Sequence, residues 1–479
     1  MRKAALLLAP LLASAQAFGQ TPGAPQPSAA SSAPSTSSSS AALTVPPPPQ
    51  VDDPMLAPVA PPRRLLTSWQ EAVSLLRARS TDLKIALDQV LQAEAATRIA
   101  LAQYLPSIVG TGSYTHQLIT KAPSGLLGGF VFGAGGVLTV SRLPPPDSAL
   151  GQIQVQQDVI NAQEFDQISI NELAEDAARL SVDDEKRTLA LSVANQIVAV
   201  VTAERAAEIN RVGLRVALEQ AEIAIRKRGL GAANGLDVVR AKQNAANARA
   251  TLVTGDESLR EAREALGLAL GLPEEVGVSP NVDVSGLASD AAATCRVVPS
   301  VDDRADVAAA RTQLEVSKRN LRNVWYTFIP TVTAQSTLAA VTPVGAYPNP
   351  TWNIQGVLQI PFWDGGTRYG NLRNARAAQD IAAQQLEALK RQAIIQVDQA
   401  RRQLLVSEQS AKVAREQRDL AAQNDQMTQL GYMTGQGTSL ELVTASEAHR
   451  QAELNLALLE FDVVKARLLA ILALATCPW

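Results

Sequence analysis

Two stretches of the 479-residue chain repeat one another, and this duplication restricts the possible folds more than any other feature. Residues Gly231–Ala241 align without a gap on Gly435–Ala445, and further along Leu252 falls on Leu456. Chance similarity between alanine-rich helices is the alternative, and a gapless register that includes the turn glycine argues against it. Each half is therefore expected to run helix, strand pair, long helix, glycine-rich turn and shorter helix.

The duplication and the composition together divide the chain into five segments. They are a signal peptide (1–19), a Pro/Ser/Ala-rich leader (20–64), the first repeat (65–270), a linker (271–300) and the second repeat (301–479).

The first residues have the features of a secretory signal peptide. A basic start precedes the apolar run Ala4–Leu12 and a small-residue cleavage site at Ala15–Ala17. The run is too short to span a bilayer, and no cysteine near the cleavage site is available for lipid attachment. Residues 20–64 carry too little apolar surface to order themselves, so folded structure is expected from Leu65.

Two proline-free segments predict the longest helices. Glu164–Arg228 and Thr367–Leu430 could each extend about 100 Å at 1.5 Å per residue. In the second segment apolar residues recur every seven positions, as in a supercoiled seam: Val406, Val413, Leu420 and Met427. Shorter partner helices are predicted at Trp69–Tyr104, Leu236–Leu270, Val301–Thr327 and Leu440–Thr476, with two of them, Leu236–Leu270 and Val301–Thr327, stacked along one long helix.

Four segments alternate between apolar and polar side chains and predict strands. The pattern is clear over 331–338 and 352–360 and weaker over 107–118 and 152–159. Strands of about ten residues with this alternation are typical of outer-membrane β-barrels, although a sheet on a soluble core is the alternative. Four strands cannot close a barrel, so we expect several copies to contribute, and a trimer would supply twelve strands.

The composition gives no support for an enzyme or a nucleic-acid-binding protein. The net charge is −3, and the two histidines, His116 and His449, have no metal-ligand spacing around them. The glycine-rich run from Gly229 joins two predicted helices with no preceding strand, which argues against a dinucleotide site. No catalytic residue, cofactor or metal site is therefore predicted.

Several motifs carry a resemblance to the TolC-like outer-membrane factor (outer membrane efflux protein) family over most of the chain from Leu65. They are the opening Leu66–Ala72, the strand entries Tyr104–Ser107 and Phe328–Thr331, the segment Pro361–Gly366, and the turn Gly431–Val443. The resemblance implies an α+β membrane protein with a long antiparallel α-helical coiled-coil barrel. Four strands per protomer would contribute to a trimeric, 12-stranded transmembrane β-barrel in the outer membrane of a Gram-negative bacterium.

The same resemblance implies the role and the partners of the chain. It would be the exit duct of a tripartite efflux pump or a type I secretion system, spanning from the outer membrane into the periplasm. A periplasmic adaptor (membrane fusion) protein would meet the turns, and an inner-membrane transporter would supply the substrate. The turn residues concerned are Gly231, Gly235, Leu236, Gly435, Gly437 and Leu440.

Three residues are carried over to the entrance that these turns would close. They are Asp237, Tyr432 and Glu441, while Gly437 and Thr444 replace an Arg and a second acid of the family's closing network. An acidic ring of Asp237 and Glu441, held by Tyr432, is one hypothesis. The other is that both acids answer the dipole at the start of their helices, and the two hypotheses are compatible.

Two cysteines complete the set of candidate residues. By resemblance, the linker that holds Cys295 and the end of the last helix before Cys477 both lie at an equatorial belt, so a disulfide between them is predicted for the oxidising periplasm, with two free thiols as the alternative.

A periplasmic coiled-coil structural or adaptor protein is the competing function. An adaptor should carry one helical hairpin, whereas two hairpins are predicted here, each after a strand pair. The sequence does not identify the cargo, the pump class or the role of the Gly-rich segment 125–150, which is expected to form an extracellular loop.

Overall fold

The structure, a computed structural model, describes residues 49–118, 130–132, 138–140, 147–342 and 350–479. The α-helices of this part of the chain are α1 (Trp69–Arg79), α2 (Thr81–Tyr104), α3 (Ala162–Gly229), α4 (Gly235–Ala269), α5 (Leu287–Thr294), α6 (Ala305–Tyr326), α7 (Thr367–Thr434) and α8 (Ser439–Leu472). Its strands are β1 (Arg64–Leu66), β2 (Ser107–His116), β3 (Phe130–Phe132), β4 (Leu138–Val140), β5 (Asp147–Ile160), β6 (Val276–Val278), β7 (Arg296–Val297), β8 (Thr331–Thr342), β9 (Thr351–Gln359) and β10 (Ala475–Thr476).

The two longest helices, α3 and α7, contain 68 residues each and are therefore about 100 Å long. The side chain of Asn161 caps the start of α3 by accepting a hydrogen bond from the Glu164 amide. Helix α7 ends where Gly435 takes a left-handed conformation with φ of 82°. The long helices predicted from the proline-free segments are confirmed.

The shorter helices pack along the long ones. Helix α4 lies against α3, and α8 lies against α7, so each long helix and its successor form an antiparallel hairpin. Helices α4 and α6 both contact α3, as the predicted stacking requires, and α6 also contacts α7. The first hairpin (α3 and α4) and the second hairpin (α7 and α8) meet where α3 contacts α8.

Three of the predicted short helices have wrong boundaries. The sequence predicts one helix over 69–104, but Ser80 is extended, with ψ of 124°, and its side chain caps α2 through the Leu83 amide. Extended Arg304 likewise separates a 3₁₀ turn at Val301–Asp303 from α6. Helix α8 stops at Leu472, because the chain then turns into strand β10.

Four strands form an antiparallel sheet in the order β2-β5-β8-β9, which confirms the four predicted strands. A register shift in β5 between Asp158 and Ile160 marks the end of the sheet nearest α3. The side chains of Trp352 and Ile354 in β9 are almost three-quarters exposed. The apolar face of this sheet therefore has no cover within the described part of one chain.

The linker 271–300 is ordered and forms part of a compact region that we call the collar (residues 64–79, 276–298 and 475–479). Strand β1 pairs with β6, and β7 pairs with β10. Buried apolar side chains of the collar pack against those at the ends of α4 and α8, and together they form one core: Leu66, Trp69, Leu76, Leu270, Leu287, Leu468 and Leu472. The indole of Trp69 donates to Thr294 Oγ1 at 3.0 Å, so α1 is attached to α5.

Two sequence-derived boundaries shift. Residues 49–63, expected to be part of a disordered leader, contact α4, so the ordered chain begins before Leu65. Strand β5 begins at Asp147, so the loop expected over 125–150 ends earlier, and β3 pairs with β4 within it. The signal peptide, the leader up to residue 48 and the remaining loop residues lie outside the described part of the chain.

None of the α-helices in the described segments is both long enough and apolar enough to cross a membrane.

Candidate functional site at the two helix turns

The first turn joins α3 to α4 through residues 230–234. Gly231 has φ of 73°, a conformation that side chains rarely adopt, and this residue reverses the chain. The Ala232 amide donates to the Lys227 carbonyl at 2.9 Å and closes the end of α3. Asn234 then caps α4, whose first residue is Gly235.

The second turn joins α7 to α8 and is tighter. The amides of Gln436 and Gly437 both donate to the carbonyl of Gly431, at 2.8 and 2.9 Å. A Cβ at Gly437 would lie 3.0 Å from the Tyr432 nitrogen, so the close backbone approach favours glycine there. Gly435, with φ of 82°, makes the reversal, and Thr438 caps α8.

Both candidate acids bond to their own helix starts. Asp237 accepts from the Asn234 amide at 3.3 Å, and Glu441 accepts from the Thr438 amide at 2.8 Å. Each therefore completes a capping box. The Thr438 amide, and then its hydroxyl, lower the pKa of Glu441. Each acid is thus positioned as the N3 residue of its helix.

Tyr432 is 7% exposed and lies between the two turns. Burial, and secondly the charge of Asp237, raise the pKa of its hydroxyl. Within the described residues, however, that hydroxyl makes no hydrogen bond to Asp237 or Glu441. The structure brings Asp237 and Tyr432 near one another without a hydrogen bond between their side chains within one protomer.

Lys227 is a contact residue that the sequence does not predict. Its Nζ lies 3.7 Å from the centre of the Tyr432 ring and donates to the Tyr432 carbonyl at 2.6 Å. Burial lowers the pKa of Lys227. The one signal in the sequence is its place in the last turn of α3, where a cation answers the helix dipole.

Further polar contacts cross from α3 to α8 above the turns. Gln220 Nε2 donates to Ser446 Oγ at 2.8 Å, and Arg450 donates to Asn210 Oδ1 at 2.9 Å. Arg450 passes over Gly213, where a Cβ would be 2.4 Å from the arginine Cδ. The contact between α3 and α8 is thus polar near the turns, in contrast to the apolar core of the collar.

Leu236 and Leu440 occupy the first turns of α4 and α8, and about half of each side chain is exposed. The two leucines give the turns an apolar surface that another protein could cover.

Cys295 and Cys477 are joined by a disulfide, the pairing that the sequence predicts. Both residues are fully buried in the core of the collar. Among the described residues, no group of three or more His, Cys, Asp or Glu side chains is arranged to hold a metal ion.

The chain is similar to known proteins in sequence and in structure. A family model described as outer membrane efflux protein matches residues 72–272 and 300–474, which is more than half of the chain. No curated protein sequence matches the chain.

Solved structures of outer membrane proteins are similar in fold. VceC of Vibrio cholerae has a TM-score of 0.68 and 18% identity, over 85% of this chain and 95% of VceC. CmeC of Campylobacter jejuni has a TM-score of 0.68 and 14% identity, over 90% and 94% of the two chains. The open state of MtrE of Neisseria gonorrhoeae has a TM-score of 0.66 and 17% identity, over 85% and 88%.

Proposed function

The chain belongs to the outer membrane efflux protein family, and from this premise we propose that it is the exit duct of a tripartite efflux pump or a type I secretion system. Membership gives it the role of an outer membrane efflux channel in a Gram-negative bacterium, rather than that of an enzyme. The observation that carries the finer proposal is a pair of long helical hairpins joined to an uncovered four-stranded sheet.

The proposed assembly is a homotrimer. Within the described residues, β2 and β9 each pair with one strand only, so the sheet has two open edges. Backbone groups at an open edge are costly in lipid, because no water can satisfy them. Three copies would join edge to edge into twelve strands, with the exposed apolar side chains of β9 toward lipid.

The helices support the same assembly. The apolar residues repeated every seven positions along α7 are all more than half exposed: Val406, Val413, Leu420 and Met427. A seam of this kind normally packs against another helix. We assign it to α-helices of the neighbouring protomer, which would close a helical barrel around the duct.

The turns form the periplasmic entrance in this proposal. Exposed Leu236 and Leu440, together with the turn glycines, would contact the adaptor, and Asp237, Tyr432 and Glu441 would surround the opening. An inner-membrane transporter would deliver the substrate to the adaptor side.

Purification and planar-bilayer recording test the proposal. The protein should require detergent for extraction from outer membranes, migrate as a trimer in SDS before heating, and produce discrete single-channel currents. Release by salt or osmotic shock would favour the alternative, a periplasmic coiled-coil structural or adaptor protein. A correctly folded trimer that forms no channels would also contradict the exit-duct role.

A further inference from the structure

An N-terminal segment runs along the outside of the first hairpin. We call residues 53–62 the strap. The carbonyl of Ala60 accepts from Arg263 at 3.1 Å, and the carboxylate of Asp53 accepts from Arg249 at 2.7 Å. From Asp53 to Ala60 the strap has three residues in a 3₁₀ turn, at about 2 Å each, and four extended residues, at about 3.3 Å each, so it covers about 19 Å. The helix between the two arginines covers about 21 Å at 1.5 Å per residue. The strap therefore runs along α4, and its Asp53 end points away from the collar toward the first turn.

The end of the strap farther from the collar is held by the ion pair between Asp53 and Arg249. The Nε and second terminal nitrogen of Arg249 both donate to Asp53 Oδ2, at 3.1 and 2.7 Å. The other carboxylate oxygen accepts from the Met55 amide at 2.9 Å, within a short 3₁₀ turn that contacts α3. The side chain of Asp53 is 11% exposed and that of Arg249 is 44% exposed, so the contact is enclosed on the Asp53 side.

At the end of the strap nearer the collar, Pro62 fits a space beside β6. Gly277 in β6 leaves room for Pro62, because a Cβ at Gly277 would lie 2.4 Å from the proline Cγ. Arg263 is 8% exposed and divides its donors between Ala60 of the strap and Glu204 of α3. One buried guanidinium thus joins the strap to both helices of the first hairpin.

The second hairpin offers an internal comparison. In the register of the sequence repeat, Arg467 and Glu408 correspond to Arg263 and Glu204, and they also form an ion pair, at 3.5 Å. Arg467 is 47% exposed, and within the described residues it donates to Glu408 alone. The arginine of this pair is therefore buried and bound to a main-chain carbonyl only in the hairpin that carries the strap.

We propose that α4 carries a binding seat for the strap, and that the seated strap braces the first hairpin against the collar and limits how far the periplasmic entrance can widen. The seat takes a segment with a carboxylate at one end, a 3₁₀ turn directly after it and a proline nine residues after the carboxylate. The effect on the entrance rests on the proposed channel function, whereas the seat does not.

Hydrogen exchange tests the seat in the purified full-length protein. The amides of Met55, Leu56 and Ala57 should exchange at least tenfold more slowly than in an unstructured peptide. Asp53→Asn and, independently, Gly277→Val should remove that protection. Asp52→Asn is the matched control, because Asp52 is exposed and bonds to no other described residue. Unprotected amides in the wild type, or equal protection in all variants, would overturn the seat.

Single-channel recording tests the brace. Asp53→Asn should raise the open probability at least threefold over the wild type, and Asp52→Asn should leave it unchanged. Equal open probabilities in a variant whose strap exchanges freely would overturn the brace while keeping the channel. Absence of channels from the wild type would instead contradict the exit-duct role, and the exchange experiment would still decide the seat.

Discussion

At the scale of single residues, the two turns are held by two helix caps and by one lysine. Each acid is occupied by its own helix cap, while Lys227 bonds to Tyr432 across the two hairpins. A capping acid and a cation over an aromatic ring serve different ends, because the first stabilises one helix and the second joins two. Lys227 is therefore the residue whose loss should affect the relation between the turns.

Replacing Lys227 by Met should loosen the contact between the two turns. A cation over an aromatic ring contributes about 0.5–2 kcal/mol, and about 1.4 kcal/mol corresponds to a tenfold change in an equilibrium. We expect the open probability of single channels to rise between about twofold and about 30-fold. Lys242→Met is the control, since Lys242 is exposed and bonds to no other described residue. Equal effects of the two substitutions would remove the role of Lys227.

Replacing Glu441 by Ala should fray the first turn of α8, and the effect should depend on pH. The pKa of Glu441 is lower in the folded state, so its cap stabilises the helix above the ordinary pKa and is lost as pH falls through the folded pKa. Hydrogen exchange of the first α8 amides should accelerate in the variant near pH 7. The difference from the wild type should vanish in strong acid, and a pH-independent difference would contradict the cap.

At the scale of elements, contacts between helices decide where small residues are required. Helices α3 and α8 approach closely at Gly213, over which Arg450 reaches Asn210. Glycine weakens a helix when nothing else requires it, so its presence inside α3 is explained by this crossing. A Cβ at Gly370 in α7 would point into open space, with no neighbouring element within 4 Å, so this glycine meets no such restriction.

Substitution of Gly213 by Ala should destabilise the protein through overpacking, by about 1–3 kcal/mol. Thermal unfolding in detergent measures this change as a lower melting temperature. In an Arg450→Ala background the same substitution should be neutral or stabilising, because the obstructing Cδ is gone. Gly370→Ala, in open space, should be stabilising by about 0.5–1 kcal/mol. If Gly213→Ala still lowers the melting temperature in the Arg450→Ala background, contact with Arg450 is not the cause of the destabilisation.

At the scale of the whole molecule, the collar connects segments that are distant in the chain. The disulfide joins residues 182 positions apart, linking the segment between the hairpins to the C-terminal end. Strand β1 adds the start of the first repeat to the same region by pairing with β6. Both hairpins are therefore attached to the collar, which the disulfide cross-links.

Replacing both cysteines by Ser should destabilise the protein by about 2–5 kcal/mol, since the unfolded chain loses a long closed loop. Thermal unfolding of the double variant should occur at a lower temperature than that of the wild type. Because Cys295 and Cys477 are fully buried, dithiothreitol should act on the wild type only as it unfolds. Rapid reduction of the native protein would contradict this burial in solution.

The sequence by itself determined the features that depend on near neighbours in the chain. Helix periodicity, strand alternation and turn glycines act over a few residues, so the two long helices and the four strands are confirmed, as is the family. The break at Ser80 was missed because its cap competes with an otherwise continuous helical pattern. The trimer, the barrel and the entrance residues stay predictions.

Only the tertiary structure decided which distant side chains meet. Lys227 and Tyr432 are 205 positions apart, Arg263 and Ala60 are 203 apart, and Arg450 and Asn210 are 240 apart. Whether such pairs touch depends on the rotation and stagger of helices about 100 Å long. Successive side chains of an α-helix point about 100° apart around its axis. Local sequence patterns do not specify the rotation of a helix about its axis that finely. The packing of the helices against one another sets that angle.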